Sequence, residues 1–181
     1  MDFASLQKQI ADASDEASQS KLPNVDKWDP PFCGNMNLVI KRNGQWWHEG
    51  TPFTRAALIS LLSSVLKKES DDYFLVTPVE KIGIQVEDVP FVVINDATTH
   101  NGIQISTQTG DTVTIGEQHP VELRAFEGNL LPYCHIRRNL WARVHQNVLY
   151  RWLDKAEERN TQHATELIMQ SGNYEFCIGK C

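Results

Sequence analysis

This sequence has fewer basic than acidic residues and lacks long apolar runs. It carries 17 Lys and Arg against 23 Asp and Glu, a formal net charge of −6 over 181 residues. Because affinity for a phosphate backbone comes mainly from clustered basic side chains, this balance argues against a nucleic-acid polymer or a membrane surface as partner. No stretch approaches the roughly 18 apolar residues of a membrane span, and the first residues lack the regions of a signal peptide. We therefore expect a cytoplasmic protein.

Signatures of metals, cofactors and catalysis are also missing. The four cysteines form no C-x-x-C pair, the six histidines never fall at metal-ligand spacing, and no glycine-rich phosphate loop opens a helix. Ser64 and Lys67 match the S-x-x-K pattern of a serine nucleophile, but the companion motifs are absent and the solvated face of a helix explains them better. We expect no metal and no cofactor. Any catalytic residue is unknown, and an enzyme is the less favoured interpretation.

The first half of the chain has clear secondary-structure patterns. Phe3, Leu6, Ile10 and Ala13 recur at spacings of three and four, which indicates a short amphipathic helix. Prolines then punctuate residues 21–31 and disfavour a helix there.

The sequence pattern of residues 37–87 predicts a hairpin, a helix and two strands. Asn43-Gly44 supplies the positive φ angles of a tight turn. Thr51-Pro52 has the form of an N-cap followed by proline in a first helical turn. Apolar residues at spacings of three and four then predict a core-facing helix over about 53–68. Strands are predicted at 73–77 and 81–87.

The second half resembles the first in order. Strands are predicted at 91–94, 103–106 and 112–115, with a turn at 109–111. Apolar residues at steps of four predict a long helix over about 136–157, and a strand at 174–178 closes the chain.

Because hairpin, helix and strand appear twice, we predict an α+β fold of two structurally similar units. The predicted boundaries are an N-terminal helical extension at 1–21, an N-terminal α+β domain at 22–88 and a C-terminal α+β domain at 89–181.

Positive charge on the predicted long helix marks the first candidate site. Residues 135–151 contain Arg137, Arg138, Arg143 and Arg151 but no Asp or Glu. Guanidinium groups suit planar anions such as carboxylate or phosphate. The alternative is a solvated helix face whose arginines pair with acids elsewhere in the chain.

Residues 77–81, Thr-Pro-Val-Glu-Lys, form the second candidate site. They lie where the first unit ends and a polar-faced strand begins, and junctions between units commonly host ligands. The alternative is a proline turn with an ordinary surface pair of Glu80 and Lys81.

Several stretches, taken in order over about 22–179, resemble the bacterial family known as domain of unknown function 1285. The stretches are Lys27-Trp28-Asp29-Pro30, Cys33-Gly34, Asn43-Gly44 with Trp46, Gly50-Thr51-Pro52 with Arg55, Leu75 to Lys81, Val86-Glu87-Asp88 with Pro90-Phe91, and Leu131-Pro132-Tyr133 with Arg137 and Leu140. The resemblance implies a duplicated α+β core whose C-terminal unit is superficially like a pleckstrin-homology fold. It also implies a nucleotide-like ligand at the interface between the units and a role in signal transduction.

We therefore expect a binding or sensing module that holds a small anionic, nucleotide-like ligand between its units and has a protein partner in signalling. Arginines and a lysine would bind the charge, a Thr and a Glu would bind sugar-like hydroxyls, and a Tyr would stack on a ring. The expected ligand-binding residues are Arg55, Thr77, Glu80, Lys81, Tyr133, Arg137 and Arg143. Two alternatives stay open: a hydrolase with Glu80, Glu87 or Asp88 as general base, and a protein-interaction scaffold without a small ligand.

Overall fold

The computed structural model describes residues 3–15 and 22–180 of the chain. The chain divides into two compact units, Met1–Asp88 and Val89–Cys181. Of the predicted extension at 1–21, residues 3–15 form a helix within the first unit, and the rest lies outside the described residues. Within the described ranges, no helix has both the length and the apolar character needed to cross a membrane.

In the described residues, the first unit comprises a six-stranded sheet, two α-helices and one 3-10 turn. Its elements are α1 (Phe3–Asp15), the 3-10 turn (Val25–Lys27), β1 (Phe32–Ile40), β2 (Trp46–His48), β3 (Thr51–Pro52), α2 (Ala56–Ser64), β4 (Leu66–Glu69), β5 (Asp72–Val76) and β6 (Lys81–Val86). The strand order is β3-β2-β1-β6-β5-β4. The central strands β1 and β6 are parallel, and all other neighbours are antiparallel.

Between residues 89 and 180, the second unit comprises a six-stranded sheet, one helix and a three-stranded sheet. Its elements are β7 (Phe91–Thr99), β8 (Gly102–Thr107), β9 (Thr112–Thr114), β10 (Val121–Phe126), β11 (Asn129–Arg137), β12 (Leu140–Val144), α3 (Gln146–Leu153), β13 (Glu157–Asn160), β14 (Thr165–Ser171) and β15 (Tyr174–Lys180). The large sheet has the order β10-β11-β12-β7-β8-β9, and the small sheet is β13-β14-β15.

Both six-stranded sheets follow the same plan. Each consists of two antiparallel three-stranded meanders, and the first strand of one meander pairs in parallel with the last strand of the other. The predicted α+β fold of two similar units is therefore confirmed. The units differ in the position of α2 and α3. In the first unit α2 connects the two meanders, whereas in the second unit α3 follows the second meander. The likeness to a pleckstrin-homology fold stays a prediction.

The predicted N-terminal helix and first hairpin are confirmed. Leu6 and Ile10 are fully buried on one side of α1. In the hairpin turn, Gly44 has a φ of 84°, which favours glycine. The Asn43 Oδ1 atom accepts a hydrogen bond from the backbone N–H of Gln45 at 3.0 Å, so the side chain stabilises the turn.

The helix predicted over about 53–68 is shorter than expected. α2 begins at Ala56, so Thr51-Pro52 is not its N-terminus; these residues form the edge strand β3 beside β2. Proline is tolerated there because an edge strand has one side on which no N–H donor is needed.

α2 also ends early, and the chain continues into β4. The Ser64 hydroxyl donates back to the carbonyl oxygen of Leu61 at 2.6 Å, a contact that weakens a helix locally. Leu66 is buried, as predicted, but as the first residue of a strand. Ser64 and Lys67 therefore lie on different elements, and the prediction that Ser64 occupies a solvated helix face is wrong because it is buried.

The long helix predicted over about 136–157 is wrong in extent, since α3 alone is helical there. The apolar residues at steps of four are nevertheless all buried: Ile136, Leu140, Val144, Val148 and Trp152. In a strand, residues separated by an even number lie on one face, so a step of four is shared by strands and helices. The first three residues lie on β11 and β12, and the last two lie on α3.

Candidate functional site

The Thr77 side chain has a structural role in the turn between β5 and β6. Its hydroxyl donates to Gln9 Oε1 on α1 at 2.8 Å and accepts from the backbone N–H groups of Val79 and Glu80 at 3.3 and 3.1 Å. Thr77 is also fully buried. These contacts use the hydrogen-bonding capacity that we expected to serve a ligand hydroxyl.

Glu80, in the same turn, has an unsatisfied carboxylate oxygen. Its Oε1 atom is buried and has no hydrogen-bond partner in residues 3–15 and 22–180. Buried polar atoms in folded proteins are nearly always paired, so such an atom invites a functional explanation.

Lys81, the first residue of β6, lies on the wall of a cavity of about 400 Å³ on the first unit's sheet. We call this the first-unit cavity; its lining includes Phe32, Asn35, Phe74, Lys81 and Gly83. The Lys81 Nζ atom is 5.0 Å from the centroid of the Phe74 ring, within range of a cation–π interaction.

An acidic residue on β4 orients the Lys81 side chain. Glu69 Oε2 accepts a hydrogen bond from Lys81 Nζ at 2.9 Å, and Glu69 Oε1 lies 3.1 Å from Lys67 Nζ. The hydrogen bonds from Lys81 and then Lys67 hold the pKa of Glu69 below its ordinary value. The ammonium of Lys81 is therefore fixed at the cavity wall, with 19% of its side chain exposed.

Three neighbouring strands bring the lining residues together. Gly83 on β6 lies opposite Asn35 on β1 and Phe74 on β5. A Cβ atom at Gly83 would collide with the Asn35 side-chain oxygen, so glycine at this position is what allows the Asn35 side chain to pack against β6. The rings of Phe32 and Phe74 meet edge to face, with centroids 6.1 Å apart, and Phe32 is 55% exposed.

The sequence reasoning missed Phe32, Asn35, Phe74 and Gly83. One signal was present, because Gly83 lies between Lys81 and Gln85 on the polar face of the strand, and an isolated glycine in a strand marks a close approach of another group. The positions of Phe32 and Asn35 depend on the parallel pairing of β1 with β6, for which the sequence has no local signal.

Arg55 is exposed at the N-cap position of α2. It makes no ion pair with any of the residues that the structure describes. Its expected role toward a ligand stays a prediction.

Tyr133 and Arg143 are cross-strand neighbours on β11 and β12 of the second unit. Tyr133 is only 1% exposed, and the guanidinium of Arg124 lies over its ring at 5.3 Å. Arg143 lies over the ring of Phe126 at 4.2 Å. The predicted stacking face of Tyr133 is therefore covered by an arginine.

Arg137, expected to clamp an anionic ligand, instead forms a buried ion pair with Asp111. Both side chains are 11% exposed, and the Arg137 guanidinium lies 4.8 Å from the centroid of the Phe91 ring. Burial, with a smaller contribution from the charge of Arg138, lowers the pKa of Arg137 to about 10. This geometry indicates a structural role.

The predicted arginine face of a single helix is wrong. Arg137 and Arg143 lie on strands, Arg138 lies in the turn between them, and Arg151 lies on α3. Arg151 donates to Asp96 Oδ1 through Nε at 3.0 Å. For Arg137 and Arg151, the alternative that these arginines pair with acids elsewhere in the chain is therefore the better one.

Glu87, a candidate general base, is held by the first hairpin. It accepts from Lys41 Nζ at 2.9 Å and from the backbone N–H of Arg42 at 3.0 Å, and these contacts lower its pKa. A carboxylate with a lowered pKa is a weak base at neutral pH. Over the described ranges, no three His, Cys, Asp or Glu side chains are grouped so that they could hold a metal ion.

Comparisons with known proteins cover both units. Residues 23–89 match the family model "Domain of unknown function (DUF1285), N-terminal domain", and residues 90–178 match "Protein of unknown function (DUF1285), C-terminal domain". No curated protein matches the chain.

Two solved structures of DUF1285 family proteins are similar to this one. The protein from Silicibacter pomeroyi DSS-3 is 35% identical, with a TM-score of 0.80 and 93% of each chain covered. The protein from Shewanella baltica OS155 is 26% identical, with a TM-score of 0.55, covering 66% of this chain and 92% of the other. The first likeness extends over nearly the whole chain, and the two family models match its two units in order, so this chain belongs to the DUF1285 family.

Proposed function

We propose that this protein binds a small nucleotide-like ligand, and that the first-unit cavity holds it. The observation that carries the proposal is the fixed Lys81 ammonium beside two aromatic rings, in a cavity where the Asn35 side chain packs over Gly83. Its volume of about 400 Å³ falls in the usual range for small-molecule sites.

Each part of such a ligand has a complementary group in the cavity. The exposed ring of Phe32 offers a stacking face for a planar base, and the Asn35 amide offers both a donor and an acceptor for its edge. Lys81 supplies positive charge for a phosphate, and Asp72 at the rim can accept hydrogen bonds from hydroxyl groups. The cavity thus combines the polar and aromatic contacts that a nucleotide needs.

A protein that binds such a ligand without converting it can act in signalling if a partner recognises its ligand-bound state. We include this signalling role, and the protein partner it requires, in the proposal. This proposal places the ligand on the first unit; the position between the two units, expected from the sequence, is a separate prediction that the proposal does not use.

The test is a thermal-shift screen with purine and pyrimidine nucleotides, followed by calorimetric titration of each nucleotide that raises Tm. A ligand at about 100 times its Kd stabilises the folded state by about 2.7 kcal/mol. We expect Lys81→Met to weaken binding by about tenfold or more, since a hydrogen bond to a charged group contributes about 1.5–3 kcal/mol.

Lys68→Met is the matched control. Lys68 lies on β4, opposite Tyr73 in the sheet. Its ammonium contacts the ring of Tyr73, whereas that of Lys81 contacts the ring of Phe74. We expect it to leave Kd unchanged. If no nucleotide raises Tm, or if both lysine variants weaken binding equally, the proposal is wrong.

A further inference from the structure

The charged side chains around the first-unit cavity balance one another. Among the residues that line the cavity, Lys81 is the one basic residue and Asp72 is the one acidic residue. Beside the lining, Glu69 forms ion pairs of 2.9 Å with Lys81 and 3.1 Å with Lys67. Two positive and two negative side chains therefore meet here, and together they have no net charge with which to hold an anion that carries several charges.

The strands place the aromatic and the charged groups at opposite sides of the cavity. Phe32 is on β1, whereas Asp72 is on β5 and lies directly opposite Glu69 on β4. Because β1 and β4 are three strand spacings apart, they are separated by roughly 14 Å. The Lys81 ammonium extends past the ring of Phe74 to reach Glu69, so it lies on the β4 side. A ligand whose base stacks on Phe32 therefore directs its phosphate toward Glu69 and Asp72.

The Lys81 ammonium has enough free donors for one phosphate group. An ammonium has three N–H donors, and one of those of Lys81 bonds to Glu69 Oε2. No other residue that the structure describes accepts a hydrogen bond from it, so two donors remain for phosphate oxygens. A second phosphate group would find no further basic side chain in the lining.

The backbone around the cavity does not supply the donors that polyphosphate sites use. Such sites commonly use the N–H groups of a helix N-terminus or a glycine-rich loop, which have no partner within the fold. Here every lining residue lies on β1, β5 or β6. Both β5 and β6 have a neighbouring strand on each side, so their N–H groups serve the sheet.

The carboxylate of Asp72 is exposed and has no counter-ion. It makes no hydrogen bond or ion pair with any residue in the described part of the chain. Such a carboxylate repels each phosphate group that extends beyond Lys81. Repulsive groups of this kind are a common source of specificity, because they raise the free energy of binding for the wrong ligand.

We propose that the first-unit cavity selects nucleotides with a single phosphate group, and that Asp72 is the residue that excludes di- and triphosphates. This inference rests on the proposed function, since it specifies which nucleotides the same cavity binds. Lys81 attracts the first phosphate, and Asp72 with Glu69 opposes each further one. The rival arrangement is a magnesium ion between Asp72 and a triphosphate, because Mg²⁺ often binds through one or two carboxylates and substrate phosphates.

The test is calorimetric titration with the mono-, di- and triphosphate of one nucleoside, first in EDTA and then in Mg²⁺. The nucleoside is the one that gives the largest Tm shift in any phosphorylation state. In EDTA we expect the monophosphate to bind at least about tenfold more tightly than the triphosphate, with the diphosphate between them. Because the exclusion is electrostatic, added salt should reduce this ratio.

Asp72→Asn removes the charge but keeps an oxygen that can accept a hydrogen bond from a ligand hydroxyl. We expect it to reduce the ratio of the triphosphate Kd to the monophosphate Kd by about threefold or more. Asp71→Asn is the matched control. It removes the same charge at the next residue, which is exposed but does not line the cavity, and should change the ratio by less than about twofold.

The outcomes separate this inference from the proposed function. A triphosphate that binds as tightly as the monophosphate in EDTA, or an unchanged ratio in Asp72→Asn, would overturn the inference and leave nucleotide binding standing. A triphosphate that binds more tightly than the monophosphate in Mg²⁺, and that Asp72→Asn weakens, would overturn it in favour of a metal bridge. If no nucleotide of any phosphate number raises Tm, both the inference and the proposed function are wrong.

Discussion

Gln9 on α1 accepts a hydrogen bond of 2.8 Å from the buried hydroxyl of Thr77, 68 residues further along the chain. The same hydroxyl accepts from two backbone N–H groups in the turn that follows β5. One side chain thus organises the turn that leads into Lys81 and fastens the N-terminal helix to it. The hydrogen bond between Thr77 and Gln9 therefore links the packing of α1 to the turn that positions Lys81 at the first-unit cavity.

Replacing Thr77 by valine tests this connection. Valine keeps the shape but leaves two backbone donors and Gln9 without their partner, so we expect unfolding free energy to fall by about 1–3 kcal/mol. Urea denaturation followed by circular dichroism measures the change. Thr54→Val, at an exposed position, is the control and should change stability by less than about 0.5 kcal/mol. A Thr77→Val variant with the unfolding free energy of the wild type would show that the Thr77 hydroxyl does not stabilise the fold.

The ion pair between Arg137 and Asp111 is the basis of a second prediction. Asp111 also accepts hydrogen bonds from the hydroxyls of Thr107 and Thr109, so it stays buried when Arg137 is removed. We expect Arg137→Met to lower the unfolding free energy by about 3–5 kcal/mol, the usual effect of leaving one buried charge without its partner.

A double-mutant cycle with Asp111→Asn separates the pair from its surroundings. The double variant should lose less stability than the sum of the two single variants, because each single change already breaks the pair. If Arg137→Met were as stable as the wild type and instead abolished ligand binding, Arg137 would be a ligand contact after all.

Cysteine reactivity provides a third prediction. Cys134 is fully buried and burial raises the pKa of its thiol, whereas Cys33 is exposed. Since the thiolate is the reactive form, we expect iodoacetamide to modify Cys33 at least about a hundredfold faster than Cys134 in the native protein. Peptide-resolved mass spectrometry measures both rates, and denaturant should abolish the difference. Equal rates in the native state would contradict the burial of β11.

Local patterns in the sequence were sufficient to predict those elements whose residues interact mainly with neighbours in the chain. The spacing of Leu6 and Ile10 predicts α1, and Asn43-Gly44 predicts the first hairpin, because a helix face and a tight turn are determined by adjacent residues. The repeated order of elements was also sufficient to predict two similar units.

Long-range pairing determines the parts that the sequence reasoning missed. Steps of four apolar residues are compatible with both strands and helices, so Ile136 and Leu140 could not reveal that they lie in β11 and β12. The same limit applies to the candidate site. Lys81 was predicted to bind a ligand, but the rings and the glycine beside it come from strands whose register no local pattern encodes.

Glu87 provides the last prediction, a change in stability with pH. The hydrogen bond from Lys41 and then that from the backbone of Arg42 lower its pKa below the ordinary value of 4.5. A lowered pKa in the folded state means that the contribution of Glu87 to stability is present above about pH 4.5 and is lost as the pH falls through the folded pKa. We therefore expect Glu87→Gln to have a lower Tm than the wild type at pH 7, and the same Tm at about pH 2.5.

The control for Glu87 is Glu117→Gln, because Glu117 is exposed and makes no ion pair with any described residue. Its Tm should follow that of the wild type at every pH. Lys41→Met should reproduce the loss seen for Glu87→Gln at pH 7, because it removes the other partner, and high salt should reduce both effects by screening an exposed pair. A Tm difference for Glu87→Gln that persisted unchanged at pH 2.5 would mean that the glutamate stabilises the hairpin through packing rather than through its charge.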